Sequence, residues 1–293
     1  MTDVIEMTAV RKSYGSVDAL RDFDLAVPSG TIHGFLGRNG AGKTTALKIL
    51  LGMTHADAGD ARVFGLDARD ERASVEIRRR AAFVSEEKQL YPSMTAADLI
   101  RFTASFHPRW RTDLERRYTS QFAIPLDRKV KALSHGMRAK LALLVALCRG
   151  AELLLLDEPT SGLDPAVAEE VLQALIAHAA GDGTTILFSS HQIAEIEQIA
   201  DGVTIIDRGR NAVSGTLDDL RETHCRVQLV FDGDAPDVVF DGARVQRKGR
   251  VLTVFSQRGA TPIVDEARRL GASSIDVSPM TLKDIFFETT AED

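Results

Sequence analysis

Short apolar runs alternate along the first two thirds of the chain with stretches whose apolar residues recur at helical spacing. Runs at 4–10, 31–36, 61–64, 81–84, 153–156, 184–189 and 203–207 predict strands. Several are almost continuously apolar, as strands buried on both faces are. Helices are predicted at 43–51, stopped by Gly52, at 136–148 and at 166–180. In the second, Leu141, Leu144, Val145 and Cys148 share a face; in the third, Val167, Val171, Leu175 and His178 do. No strand pattern appears from Tyr91 to Arg149, where Pro92, Pro108 and Pro125 break the chain, so this stretch (about 91–149) reads as an inserted helical subdomain. The pattern predicts an α/β fold.

After Leu220 the texture changes. Strands are expected at 226–231, 238–240, 250–256 and 274–277, with helices at 261–270 and 281–288 and turns rich in Asp and Gly. The expected organisation is one domain over 1–220 and a small α+β domain over 221–293. Arg78, Arg79, Arg80, Arg116 and Arg117 read as solvated helix faces.

Composition narrows the class. The chain has 293 residues, 36 Lys+Arg against 42 Asp+Glu, and a net charge of −6. Its 44% hydrophobic and 27% charged residues are ordinary for a folded protein and exclude a mainly disordered chain. Neither side of residue 219 is basic, which argues against a nucleic-acid partner. The longest apolar run, Leu141 to Cys148, is far short of a membrane span. The first residues lack the basic start and apolar stretch of a secretion signal, and two cysteines make no disulfide framework. The expectation is a reduced, cytosolic chain.

Chemistry enters at Gly37-Arg38-Asn39-Gly40-Ala41-Gly42-Lys43-Thr44-Thr45, which follows a strand and opens a helix. This is G-x-x-x-x-G-K-T. Its glycines let backbone N–H groups close on phosphate oxygens, and the helix start adds its positive end. Lys43 would reach the β- and γ-phosphates, and the Thr44 hydroxyl would ligate Mg²⁺. A second strand ends in Asp157-Glu158, at the sheet edge where open α/β sheets bind ligands. Asp157 is placed to hold Mg²⁺ through its water shell, and Glu158 to orient or deprotonate water. A third strand leads to His191, expected on the same edge as a γ-phosphate contact.

Five pieces thus stand in one order: Gly37 to Thr45, Leu133-Ser134-His135-Gly136-Met137, Leu155-Leu156-Asp157-Glu158, Ser161-Gly162-Leu163-Asp164, and His191. Over about residues 4–219 this set resembles the nucleotide-binding subunit of ABC transporters, a P-loop NTPase fold with a mixed sheet core and an inserted helical subdomain. The second piece resembles the family's LSGGQ signature and the fourth its D-loop. The stretch Ser278-Pro279-Met280-Thr281-Leu282-Lys283-Asp284-Ile285-Phe286 resembles the tail of ATPase subunits that serve exporters with a separate membrane subunit.

The resemblance implies that Tyr14 stacks on adenine, Glu158 is the catalytic base and His191 the switch histidine. It also implies that Ser134 and Gly136 contact the γ-phosphate held by a second subunit, and that Asp164 links the two sites. Ser134 can also cap the helix that starts near Gly136. Two positions depart from the pattern. Met137 stands where the signature has Gln. Glu86 stands where the family has a Gln touching Mg²⁺ and water; a carboxylate can coordinate Mg²⁺ but repels a bare γ-phosphate.

The implied activity is ATP hydrolysis with Mg²⁺ between two ATPase subunits, identical or different. It would be passed to an integral membrane subunit through the region at Leu90-Tyr91-Pro92-Ser93-Met94-Thr95, which places the chain peripherally on the cytoplasmic face of the cell membrane. A translation ATPase of this class often carries two cassettes on one chain, and here there is one phosphate loop. A chromosome ATPase would insert a long coiled coil, but Ser134 follows Lys43 by 91 residues without sustained heptads. A nucleotide kinase needs no signature. A regulatory module that holds ATP without turnover is separated by an ATPase assay.

Overall fold

The computed structural model describes residues 2–290. The chain divides into two compact units, Met1–Ser214 and Gly215–Asp293. The division comes earlier than the change in sequence texture, because the short helix around Leu220 packs with the last helix of the chain.

In the first unit β1 (Asp3–Tyr14) and β2 (Val17–Pro28) form an antiparallel pair, and β3 (Ile32–Leu36) starts a different sheet. After the loop that follows comes α1 (Lys43–Leu50). The strands β4 (Ala58–Val63) and β5 (Leu66–Asp67) return to the first sheet, whose order is β2-β1-β4-β5. Next, α2 (Glu71–Arg80) runs into β6 (Ala81–Val84). From Tyr91 to Arg149 come α3 (Ala96–Ala104), α4 (Thr112–Gln121), a 3-10 turn at Val130–Ala132 and α5 (His135–Cys148). The chain re-enters the second sheet with β7 (Leu153–Asp157), α6 (Pro165–Asp182), β8 (Thr185–Ser190), α7 (Ile193–Ile199), β9 (Gly202–Asp207) and β10 (Arg210–Thr216).

That second sheet has the order β10-β9-β3-β8-β7-β6, and the pairs from β9 to β6 are parallel. Every residue of β3, β7 and β8 is buried, which is why their sequences read as continuous apolar runs. Ile5, Phe23, Phe35, Leu47, Leu50 and Leu155 meet in one core that joins the antiparallel sheet, α1 and the parallel sheet. Cys148 is buried on α5, and burial pushes its thiol up to about 12, so it behaves as a small apolar side chain.

The second unit holds α8 (Leu217–Thr223), β11 (Cys225–Val230), β12 (Ala243–Lys248), β13 (Val251–Ser256), α9 (Thr261–Arg269), β14 (Ser274–Pro279) and α10 (Leu282–Thr289). Its antiparallel sheet runs β12-β13-β11-β14. Val227, Leu229, Leu252 and Val254 pack under Ile263 and Ala267 of α9.

Three expectations fail here. The run Val238 to Phe240 is not a strand; Phe240 is buried as a plug on the unit's core while Val239 points out. The strand that pairs is β12, whose polar residues hid it. Arg78 and Arg80 are only partly exposed and are tied down: Arg78 donates to the Leu51 carbonyl at 2.7 Å, and Arg80 pairs with Glu152 at 2.7 Å with its guanidinium 3.8 Å from the Phe64 ring centre. Arg79, Arg116 and Arg117 are exposed.

Candidate nucleotide site

Strand register builds the site. Leu36 of β3 lies beside Ser190 of β8, and Ser189 lies beside Asp157 of β7. Val84 of β6 pairs with Leu156, so Ser85 and Glu86 leave the sheet beside Asp157. Four parallel strands therefore end together, and the segments after them converge at their carboxyl edge.

The loop between β3 and α1 is tight. A Cβ on Gly37 would meet the Ile206 carbonyl at 2.6 Å, so no larger residue fits. Gly42, at φ +116°, is the N-cap of α1, and a Cβ there would meet the Ala19 carbonyl at 2.5 Å. Arg38, Asn39 and Gly40 are exposed at the rim, and Ala41 is buried beneath. A cavity of about 370 Å³ opens over the loop, lined by residues 38 to 45 with Val17, Ala19, Glu86 and Glu158. The first turn of α1 points its free N–H groups into this region.

Lys43 is buried. Its ammonium donates to the Gly37 carbonyl at 2.7 Å and lies 3.0 Å from Glu158 Oε1. Glu158 Oε2 is 2.8 Å from His191 Nδ1, giving a line Lys43–Glu158–His191. Glu158 itself sits at φ +47°, a left-handed conformation uncommon outside glycine, held by its N–H bonding Ser189 Oγ at 3.1 Å. Asp157 is buried, and each of its oxygens accepts a hydroxyl: Oδ2 from Thr44 at 2.8 Å and Oδ1 from Ser189 at 2.8 Å.

The donor set suits Mg²⁺. It offers oxygens only, with the Thr44 hydroxyl already fixed by Asp157 and the Glu86 carboxylate on the same cavity wall. Among the described residues no cluster of three or more His, Cys, Asp or Glu side chains could cage a metal.

Tyr14 lies apart from this set. It ends β1, half exposed, with the Lys12 ammonium 5.3 Å from its ring centre, and it is not part of the cavity lining. Ser134, Gly136 and Asp164 form a second cluster. Ser134 is the N-cap of α5 and accepts from the Met137 N–H at 3.2 Å; the helix starts at His135, one residue earlier than expected. Asp164 caps α6 through the Ala166 N–H at 3.0 Å. A Cβ on Gly136 would lie 3.3 Å from Val167, so the starts of α5 and α6 are packed together. Both caps are exposed and present helix N-termini outward.

Three contributors escaped the sequence reading. Ser189 orients Asp157 and the Glu158 backbone. Glu195, buried, accepts from Thr160 and from Ser190, each at 2.8 Å, tying the segment after Glu158 to the one before His191. Lys88 is buried, its ammonium donating to the Glu86 backbone carbonyl at 3.2 Å. The Ser189-Ser190 pair ahead of His191 was the available signal; Lys88 and Glu195 carried none.

A phosphate loop at the carboxyl edge of a parallel sheet, with an Asp–Thr pair and a Glu–His pair beside it, defines a P-loop nucleotide-binding ATPase. The family model described as "ABC transporter" matches residues 20–161. The chain is 34% identical to the daunorubicin resistance ATP-binding protein DrrA2 of Streptomyces coeruleorubidus, over 98% of this chain and 94% of that protein. It is 31% identical to the Nod factor export ATP-binding protein I of Cupriavidus pinatubonensis, over 100% of this chain and 92% of that one. A solved ATP-binding subunit of an ABC transporter superposes with a TM-score of 0.65 at 29% identity, over 74% of this chain and 92% of its own. The chain belongs to the ABC transporter family as one of its ATP-binding subunits, an ATPase cassette.

Proposed function

We propose that this subunit hydrolyses ATP in a dimer of cassettes and drives transport, in the export direction, through a separate membrane subunit. The line Lys43–Glu158–His191 across the mouth of the phosphate loop carries this reading. The loop N–H groups and Lys43 hold the β- and γ-phosphates. Thr44 and Asp157, with Glu86 opposite, would hold Mg²⁺, which when bound neutralises phosphate charge. Glu158 accepts a proton from the attacking water, and His191 fixes the orientation of that carboxylate.

The exposed caps at Ser134 and Asp164 support dimerisation. They offer phosphate-seeking helix starts that stand outside their own chain's phosphate cavity, so a second subunit would complete each site. Tyr14 is assigned to adenine by its place on the chain before β2.

Among the described residues no helix is long and apolar enough to cross a membrane. In this reading a membrane partner supplies the span, and the working subunit is peripheral on the membrane's cytoplasmic face. Tyr91, Phe102 and Phe106 are exposed and stack edge to face at 5.5 and 5.0 Å, beside the segment that follows Glu86. Such a row supports docking there. The names of the export and resistance relatives favour outward transport. The direct test is Glu158→Gln: it should keep ATP binding, stop hydrolysis and yield a dimer on gel filtration with ATP but not ADP. Normal turnover by that variant would remove Glu158 as the base.

A further inference from the structure

Glu195, on α7, is only 7% exposed and does not line the nucleotide cavity, so the proposed chemistry leaves it unused. A carboxylate is rarely this buried, and its burial is costly unless hydrogen bonds replace water. One of its oxygens, Oε2, makes two such bonds. It accepts from Thr160 Oγ1 and from Ser190 Oγ, each at 2.8 Å, and both of those residues are buried as well.

The two hydroxyls stand on the two segments that carry the Glu158–His191 contact. Thr160 follows Glu158 by two residues, in a turn where the Ser161 N–H bonds the Glu158 carbonyl at 3.1 Å. Ser190 directly precedes His191, and its Oγ also accepts from the Gln192 N–H at 3.0 Å, which closes the chain around the histidine. Glu158 Oε2 and His191 Nδ1, 2.8 Å apart, therefore project from two segments that Glu195 ties together. Glu158 needs such support. Its left-handed backbone, at φ +47°, persists only where its surroundings over-determine it. Ser189 holds it through the Glu158 N–H, and Glu195 holds the turn that follows through Thr160.

Resting on the assignment of Glu158 as the base and His191 as its orienting partner, we propose that Glu195 is a positioning residue for hydrolysis. Its carboxylate clamps the two segments so that Glu158 and His191 stay aligned. It touches no nucleotide and acts through the backbone on which those two side chains stand. The clamp needs one oxygen able to accept two hydroxyl hydrogens, which the side-chain carbonyl of glutamine also offers and alanine does not.

The test is steady-state ATPase kinetics, run below the melting temperature of each variant. Glu195→Ala should lower kcat by about tenfold or more and keep KM for ATP within about threefold. Glu195→Gln should recover most of that loss. Thr160→Val and Ser190→Ala each release one arm of the clamp, and each should lower kcat by about threefold or more. The double variant Glu195→Ala/His191→Ala should lose clearly less than the product of the two single losses, because both residues act on one carboxylate. An unchanged kcat in Glu195→Ala, a raised KM in place of a lowered kcat, a Glu195→Gln as slow as Glu195→Ala, or losses that multiply with His191→Ala would each overturn the proposal. Should Glu195→Ala fail to fold, the single-arm variants decide, and wild-type kcat in both overturns it. Full turnover by Glu158→Gln would instead remove the base assignment on which the clamp rests.

Discussion

The ammonium of Lys43 lies 3.0 Å from Glu158 Oε1, and both side chains are buried. The cation that should grip phosphate and the carboxylate that should activate water are thus paired with each other. A nucleotide entering the loop must compete with Glu158 for Lys43. Glu158→Gln removes that competitor and the base together. It should tighten ATP binding by roughly 3- to 10-fold while cutting turnover by about 10² or more. Lys43→Ala should weaken ATP binding by at least about tenfold. Titration with nucleotide and steady-state ATPase rates separate the two effects. Looser ATP binding by Glu158→Gln would show that the pair does not compete.

His191 reaches Glu158 Oε2 at 2.8 Å and is itself exposed. In the proposed role of aiming that carboxylate, His191→Ala should lower kcat by roughly 10- to 10³-fold and move KM for ATP by less than about threefold. A variant with a raised KM and an intact kcat would place His191 in binding and not in orientation.

The parts of this site that a reader of the sequence can find are those that backbone geometry dictates. Gly37 and Gly42 are needed because a Cβ would strike the Ile206 and Ala19 carbonyls. The runs before Asp157 and His191 are visible because β7 and β8 are buried on both faces. Strands with one wet face are harder to see. In β2, Arg21, Asp22 and Asp24 break the apolar pattern on the exposed side of an edge strand, and in β12 Arg244, Gln246, Arg247 and Lys248 do the same. The roles of Ser189 and Glu195 arise from tertiary contacts between β7, β8 and the segments that follow them. A lone polar residue carries no periodicity that announces such a contact.

Ser189 is fully buried and serves two masters, donating to Asp157 Oδ1 at 2.8 Å and accepting from the Glu158 N–H at 3.1 Å. Ser189→Ala leaves one oxygen of a buried carboxylate without that donor. The loss should cost about 1–3 kcal/mol of stability. It should also loosen the Asp157–Thr44 pair, so the Mg²⁺ concentration for half-maximal ATPase should rise. Chemical denaturation and a Mg²⁺ titration check the two halves. A variant with wild-type values in both would leave Ser189 as simple filler.

His33, buried on β3 ahead of the phosphate loop, meets Thr204 Oγ1 at 2.9 Å. Burial lowers its pKa from 6.5 to about 4. The unfolded chain therefore takes up a proton first as pH falls. Stability is full above about 6.5 and declines as pH drops toward 4, by about 2 kcal/mol at pH 5 from this group alone. Burial lowers His178 and His224 as well, so they act in the same direction. Denaturation at pH 7.5 and pH 5 should show the loss, and His33→Gln should lose less between the two. Equal losses in both proteins would mean that His33 is not a source of acid sensitivity.

Ser134 is exposed and caps α5, which makes its two roles separable. Aspartate caps a helix as well as serine does, but it puts a negative charge where a phosphate from the second subunit should arrive. Ser134→Asp should therefore melt within a few degrees of the wild type and lose at least about tenfold in ATPase rate. In a homodimer the defect can be complemented. Lys43→Ala spoils the phosphate loop of its own chain, and Ser134→Asp spoils the site that the other chain completes. Neither homodimer should turn over, yet an equimolar mixture should contain heterodimers with one intact site, returning up to about a quarter of wild-type activity. Recovery on mixing would place Ser134 opposite the other chain's loop. An active Ser134→Asp homodimer, or inactive variants that stay inactive after verified heterodimer formation, would remove Ser134 from the shared site and leave it as an ordinary cap.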